Sequence, residues 1–231
     1  MTDLHTHILP GMDDGVQSVT EAVKMLRIQA EQGIDTVALT PHYYRQSESI
    51  ADFLARREAA WLKLSQAVQG EVCPSVVLGA EVAWMPDISR WPELESLCYQ
   101  NTKMLLVELP MRPWSGDIFT QLYNIENRRG IMPVIAHVDR YFHNQSKRNL
   151  YRLFSTGYPL QVSAEAVLRF HTRKRALEVL KYCEGMLISD CHNLRSRPPK
   201  LGPAMEMLEK KLGTRMAREI AAITDDILQE Q

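Results

Sequence analysis

The sequence predicts an α/β fold, a parallel sheet covered by helices. Two features carry that expectation: short runs rich in Val, Ile and Leu recur along the chain, and each is followed by an amphipathic helix with a Gly before the next run. About seven such units suggest a closed or distorted barrel, with an open doubly wound sheet as the alternative. At 231 residues, without internal repeat, low-complexity tract or Gly/Ser linker, the chain reads as a single domain over 1–231, at the small end for a barrel.

The elements follow in order. Asp3–Leu9 reads as the first strand. Ser18 and Glu21 make a capping-box pair ahead of an apolar face of Ala22, Val23, Leu26 and Ala30, and Gly33 is the expected helix stop. Thr36–Thr40 is the second strand. Ser49 caps the next helix, which runs to about Val68 and turns Phe53, Leu54, Trp61 and Leu64 inward. Later strands are expected at Val76–Val82, Lys103–Leu109, Met132–Val138, Leu160–Ser163 and Met186–Ser189. Helices are expected at about Ile118–Arg129, Lys147–Ser155, Arg173–Tyr182, Pro203–Lys211 and Met216–Leu228. The last of these is amphipathic enough to pack on the barrel or on a partner.

Composition narrows the function. Hydrophobic content of 45% supports a sizeable core and 24% charged residues is ordinary for a soluble protein. A net charge of −1 supplies no general field for nucleic acid or anionic lipid. No apolar run approaches the roughly 20 residues of a membrane span, and the N-terminus lacks a signal-peptide pattern, so a cytoplasmic location is expected. Cys73, Cys98, Cys183 and Cys191 are scattered without C-x-x-C spacing, which disfavours a zinc ribbon or a disulfide framework.

The chemistry emerges when the polar residues are placed on the strands. His5 and His7 form H-T-H in strand one, and His42 follows strand two in T-P-H. Glu81 ends strand three in G-A-E, and Glu108 ends M-L-L-V-E-L-P. His137 ends P-V-I-A-H, and Asp190 and His192 end M-L-I-S-D-C-H. Ligand-type side chains thus gather at the C-terminal ends of at least six expected strands, where barrel enzymes keep their active sites. Residues i and i+2 of a strand share a face, so His5 and His7 can converge on one ion, and Asp190 and His192 repeat the arrangement, with a position in the following loop as the alternative for His192. Any one of these residues is more simply a hydrogen-bonded core or rim group. Together they are not, because several carboxylates brought into one buried place repel unless cations lie between them. His143 and His171 fall outside the set and read as surface residues.

Counting Asp14, in the turn D-D-G, nine candidate ligands are available, enough for two or three ions with bridging carboxylates. Imidazole and carboxylate without thiolate suit Mn, Fe, Zn or Co better than an isolated Mg. Such clusters carry out in-line displacement at phosphorus. A rival reading rests on Cys191 and Arg197, which satisfy the C-x5-R spacing of thiolate phosphatases. The intervening H-N-L-R-S has no Gly for close backbone approach to phosphate, and ligand-type residues flank the Cys, so the match is read as coincidence.

The motifs H-T-H-I-L-P-G-M-D-D-G, G-I-D-T-V-A-L-T-P-H, G-A-E, V-E-L-P, G-I-M-P-V-I-A-H-V-D-R-Y and S-D-C-H-N-L-R-S-R-P-P follow one another from residue 3 to about residue 201. In this succession the chain resembles the PHP (polymerase and histidinol phosphatase) superfamily, and within it the bacterial capsule-associated protein-tyrosine phosphatases. The resemblance implies a distorted (βα)7, TIM-like barrel of the PHP type with three divalent metal ions, commonly Mn. It implies ligand roles for His5, His7, Asp14, His42, Glu81, Glu108, His137, Asp190 and His192, and phosphate-binding roles for Arg140 and Arg197, with Arg195 as the substitute if that loop is misaligned. A guanidinium can grip two phosphate oxygens at once, so arginines beside ligand motifs make chemical sense.

The implied activity is hydrolysis of phosphotyrosine on protein by direct attack of hydroxide generated at the metals. The implied partner is a bacterial tyrosine kinase controlling capsule or exopolysaccharide synthesis. Histidinol-phosphate or other small phosphomonoester hydrolysis is the alternative within the superfamily, and a non-catalytic metal-binding scaffold is a further one. The chain departs from the family at Val138-Asp139, where Pro-Glu is usual, at Glu165-Ala166, where Gly-Ser is usual, and in V-A-W-M-P-D-I after Glu81. These departures spare the expected ligands and bear on substrate preference. Tyr43, Tyr44, Trp84, Trp114 and Tyr141 are candidates for a wall against a phosphotyrosine ring.

Overall fold

The computed structural model describes residues 1–183 and 185–228. Its elements in chain order are β1 (Thr2–Thr6), α1 (Val19–Glu31), β2 (Thr36–Leu39), β3 (His42–Tyr43), α2 (Ile50–Ala67), β4 (Ser75–Leu78), β5 (Glu81–Ala83), β6 (Met104–Glu108), α3 (Gly116–Arg129), β7 (Met132–Ile135), α4 (Lys147–Phe154), β8 (Leu160–Ser163), α5 (Ala164–Leu168), α6 (Phe170–Tyr182), β9 (Gly185–Ile188), α7 (Leu201–Leu212) and α8 (Thr214–Asp226). Short 3-10 turns at Ile88–Arg90, Leu94–Leu97 and Val138–Tyr141, and the brief α5, were not expected from the sequence.

Every named strand pairing is parallel, in the orders β1-β2-β4 and β3-β5-β6-β7-β8-β9. The expected third strand is broken in two at Gly79-Ala80, and beyond the expected second strand, after Thr40-Pro41, the chain adds the short β3. Hydrogen bonding still crosses both junctions: the Thr40 amide donates to Thr6 O, Gly79 to Leu39 O and Glu81 to Pro41 O, at 2.9–3.0 Å. The last strand then returns to the first. The Asp190 amide donates to His5 O at 3.0 Å and the His7 amide to Cys191 O at 2.9 Å, flanking a parallel bridge between Thr6 and Cys191. The seven expected strands therefore form a ring of the kind a barrel requires.

Two apolar layers fill this ring and its surroundings. Leu4, Ala38, Leu106, Val134, Ala136 and Ile188, drawn from alternate positions of five strands and the residue after β7, make the inner cluster. Their neighbours in sequence, among them Val37, Leu39, Leu105, Val107 and Leu187, pack outward with Phe53, Leu64, Leu122 and Leu180 of the helices.

Strand β1 carries one irregularity that matters for function. Its register with β2 passes from Asp3↔Val37 to Thr6↔Leu39, three residues against two. This bulge lets Leu4 join the inner cluster while His5, the next residue, also turns inward to bond Gln161. Strand β1 ends at Thr6 rather than Leu9, and β7 ends at Ile135 rather than Val138. In both places the chain turns away to carry a histidine. Helix α1 is capped as expected at Ser18, whose hydroxyl accepts from the Glu21 amide at 3.2 Å. The reciprocal half of the box is absent, because the Glu21 carboxylate reaches the Leu194 amide instead, at 3.3 Å.

Helix α8 packs on the barrel itself. It buries Ala217, Ile220 and Thr224, and just past its end Ile227 joins the inner cluster beside Met104 and Met186 at the starts of their strands. It therefore closes the end of the ring opposite the histidines. Ile220→Ala is expected to destabilise the fold by about 2–4 kcal/mol in urea unfolding, the range for truncating a well-packed aliphatic; a loss under 0.5 kcal/mol would show that α8 is only laid against the surface.

Candidate metal centre

The nine expected ligand residues meet at one end of the ring. In the first group, His5 Nε2 lies 3.1 Å from His7 Nε2, and the two approach Glu81 Oε2 at 3.2 and 3.3 Å. Asp190 Oδ1 faces the same pair at 3.8 and 3.7 Å. A second group joins Glu81 to His42 and Glu108, with His137 Nε2 at 2.7 Å from Glu81 Oε1 and 3.6 Å from Glu108 Oε1. A third comprises His7, Asp14, His42 and His192, in which Asp14 Oδ1 lies 3.4 Å from His42 Nε2 and 3.6 Å from His192 Nε2. Glu81 is shared by the first two groups and His42 by the last two.

These spacings suit metal ions. Two donors each about 2.1 Å from one ion, at near-tetrahedral or near-octahedral angles, stand roughly 3–3.5 Å apart. Asp190 Oδ1, His192 Nε2 and His137 Nδ1 are buried without a hydrogen-bond partner, and His42 Nδ1 and Glu81 Oε2 face each other at 2.9 Å. Unsatisfied donor atoms converging among imidazoles and carboxylates fit divalent cations of the Mn, Fe, Zn or Co type.

The electrostatics point the same way. Burial opposes charge on the Glu81 and Asp190 carboxylates, yet the histidines around them and, at Asp190, Arg140 hold both well below the usual carboxylate range. Burial likewise disfavours a charged His7, but the hydrogen bonds it donates to Asp13 and Glu81 push it up to about 10. Burial and the neighbouring His7 push His192 down to about 3. The carboxylates demand positive charge at the mouth, and cations can supply it more effectively than protons held on imidazole.

Local structure explains how the donors are aimed. His137 and Asp190 both have left-handed backbones, with φ of 26° and 52°. Side chains at such positions leave the pleat of the preceding strand, at a cost of order 1–3 kcal/mol each. Of the two readings of Asp190 and His192, the loop one holds for His192 and extends to Asp190: β9 ends at Ile188, and a turn brings both residues to the centre. Gly15 lets the D-D-G loop press on β1. A Cβ there would lie 2.3 Å from His7 O and 2.6 Å from His7 Cβ.

Sequence reasoning missed the residues that orient the ligands. Asp13, neighbour of the expected Asp14, bonds His7 Nδ1 at 2.6 Å and accepts from the His42 amide at 2.9 Å. Gln161 accepts at its Oε1 from His5 Nδ1, at 2.7 Å, and its amide donates to the Tyr99 hydroxyl. Asp139 takes the Ser163 amide and hydroxyl, both at 2.8 Å, and so ties the turn bearing Arg140 to β8. The doubled aspartate in D-D-G was the available signal for Asp13; a lone Gln inside an apolar strand was the signal for Gln161.

Arg140 and Arg197 both pair with Asp190 Oδ2, Arg197 at 2.6 Å, and each remains about one-third exposed. Arg195 is exposed and its amide bonds Asn193. Cys191 is fully buried, and burial with nearby Asp3 drives its thiol well above the usual range, which leaves no thiolate for C-x5-R chemistry. The four cysteines are free. His143 and His171 are exposed, away from the cluster, as expected. Of the five candidate aromatics, Tyr43, Trp84, Trp114 and Tyr141 are buried; Tyr44, 46% exposed, stands 5.4 Å from the His42 ring at a 30° tilt.

The family described as Capsular polysaccharide synthesis, CpsB/CapC, matches residues 1–228. The chain is 30% identical to the tyrosine-protein phosphatase CpsB of Streptococcus pneumoniae, over 95% of this chain and 94% of that protein. It is 27% identical to the tyrosine-protein phosphatase YwqE of Bacillus subtilis, over 100% and 92% of the two chains. Its fold superposes with a TM-score of 0.83, at 23% identity over 100% of this chain and 95% of the other, on a solved structure from crystal structures of YwqE and CpsB, themselves described as unique metal-dependent tyrosine phosphatases.

Replacing Asp13 by Asn would leave His7 without its charged anchor. Divalent-metal affinity measured by calorimetry on stripped protein is expected to fall about 10- to 100-fold, the usual cost of losing a ligand-orienting carboxylate, with little change in the unfolding midpoint of the metal-free protein.

Proposed function

The chain belongs to the CpsB/CapC family of capsular polysaccharide synthesis, and on that premise we propose that it is a metal-dependent protein-tyrosine phosphatase using the cluster at the mouth of its barrel. The observation that carries the reading is the convergence of His5, His7, Glu81, Asp190 and His192 beside two arginines, with Asp190 Oδ1 and His192 Nε2 buried and without a hydrogen-bond partner. Three overlapping donor groups support three ions, and the imidazole–carboxylate composition supports Mn as the working metal. In this reading His5, His7, Asp14, His42, Glu81, Glu108, His137, Asp190 and His192 hold the metals.

Bound divalent cations would lower the pKa of water towards neutrality and neutralise charge on the phosphoryl oxygens. The protein's own contribution is positioning. Arg140 and Arg197 approach Asp190 from the open side, so their remaining N–H groups can grip phosphoryl oxygens and hold the ester in line. A tyrosine leaving group, with a phenol pKa of about 10, departs more readily than an alkoxide and asks less of an acid catalyst. Tyr44, half-exposed beside His42, is placed to lie against the departing ring.

The family's capsule role supports a bacterial tyrosine kinase as the physiological phosphoprotein, and a cytoplasmic site of action follows from that partner. No described helix is long and apolar enough to cross a membrane. A small phosphomonoester such as histidinol phosphate remains the second reading, favoured only if the mouth proves too narrow for a peptide.

Metal-stripped protein should hydrolyse a phosphotyrosine peptide only after Mn is restored, and His42→Ala should lose most of that activity, while Cys191→Ser keeps it within about twofold of wild type given the buried, protonated thiol. Full activity after stripping, unaffected by His42→Ala, would sink the metal mechanism. Tyr44→Ala should lower kcat/KM for an aryl phosphate by roughly tenfold, as loss of one aromatic contact allows, and leave an alkyl phosphate unchanged; equal losses on both would mean that Tyr44 only buttresses His42.

A further inference from the structure

The chain is nearly neutral as a whole, but its charge is unevenly placed. Residues 142–183 hold eight Lys or Arg against two Glu, a net +6, whereas the remaining residues hold 19 against 26, a net −7. Within the basic segment, the ion pairs among the described residues join Glu165 to Arg169 and to Lys200. Lys147, Arg148, Arg152, Lys174, Arg175 and Lys181 are all exposed on α4 and α6. Crowding like charge on adjacent helices works against folding, so such a face is best explained by an anionic partner.

The same two helices enclose a groove of about 440 Å³. Phe142, Leu150, Phe154 and Val179 give it an apolar floor, Lys147 and Arg175 stand among its lining residues, and Glu178 is its single acid. Tyr151 and Tyr182, also lining it, are 75% and 70% exposed, the Tyr182 ring lying under the Lys181 ammonium at 4.8 Å. The groove is tied to the turn that bears Arg140: Phe142 follows Arg140 by two residues, and Arg175 donates to Phe142 O at 3.0 Å. A concave apolar floor with cationic edges suits an extended acidic chain bearing an apolar or aromatic side chain, and a flat lipid surface could not fill it.

We infer that the α4–α6 groove docks an acidic peptide segment, its apolar or aromatic side chain on the floor and its carboxylates on the basic edge. Given the phosphatase reading above, that segment flanks the phosphotyrosine of the protein substrate. The docking is remote from the metals, so it acts on substrate capture and not on the chemical step. Charge steering of this kind weakens with ionic strength.

The test uses the full chain loaded with Mn, and a Lys147→Glu/Lys181→Glu variant whose side chains touch neither ligands nor arginines of the mouth. A fluorescent, unphosphorylated peptide of Glu, Asp and one Tyr is titrated by anisotropy; its phosphorylated form, a neutral-flanked phosphopeptide and p-nitrophenyl phosphate are assayed for turnover. The variant is expected to bind the acidic peptide about tenfold more weakly and to raise KM for its phosphorylated form alike with kcat unchanged, while the other two substrates are unaffected. Tyr151→Ala/Tyr182→Ala should weaken the same binding by removing the apolar walls. Unchanged binding in both variants overturns the inference. So does unchanged peptide binding accompanied by loss of co-sedimentation with phosphatidylglycerol vesicles, which would assign the face to lipid. Peptide binding that depends on Lys147 and Lys181, in a protein that turns over no phosphoester, would uphold the docking face and strike the phosphatase reading instead.

Discussion

Buried negative charge at the mouth of the ring is the constraint on which the rest of the structure turns. Glu81 and Asp190 are almost wholly removed from water, and carboxylates in that condition are intolerable without positive partners. The chain brings them five imidazoles and two guanidiniums, from strand ends and loops far apart in sequence. Those partners still leave Asp190 Oδ1 without a hydrogen bond. The site is thus a charge imbalance that divalent cations resolve, and its stability and its chemistry come from the same source.

Holding donors at such separations requires a backbone that departs from regular strand geometry at chosen points. The bulge in β1 turns His5 inward beside Leu4, Gly15 lets the acidic loop close on His7, and left-handed turns at His137 and Asp190 aim their side chains across the opening. A second ring of groups fixes the imidazoles: Asp13 on His7, Gln161 on His5. Beneath these lies the apolar inner cluster, sealed at its far end by Ile227, which keeps water from the lower barrel and confines polar chemistry to one end. The irregularities are affordable because parallel pairing continues around them through the hydrogen bonds that link Thr6, Thr40, Pro41 and Leu39 to their neighbours.

Function is then divided between two surfaces. The mouth gathers carboxylates and presents cation sites, while the α4–α6 flank carries the compensating basic excess. Placing the basic residues away from the acidic cluster prevents them from quenching it, apart from Arg140 and Arg197, which reach Asp190 directly. An acidic chain docked along the flank would meet positive charge first and Arg140 and Arg197 last.

The sequence by itself determined the kind of fold and the cast of the site. The alternation of β-branched runs with amphipathic helices requires a parallel, helix-covered sheet, and ligand residues at strand ends must then collect at one end of it. That logic depends only on local periodicity, and it places His5, His42, Glu108 and His137 without any tertiary information. Only the folded structure decided which atoms meet. Asp13 and Asp14 are adjacent and chemically identical, yet one orients His7 and the other faces His42 and His192, a division set by the packing of Gly15 against β1. Gln161 reads as an ordinary strand residue until the ring brings it under His5. The breaks at Pro41 and Gly79 and the left-handed turns at His137 and Asp190 likewise arise from closure, because a sheet joined to itself fixes the direction of every strand end, and no periodicity along the chain records that condition.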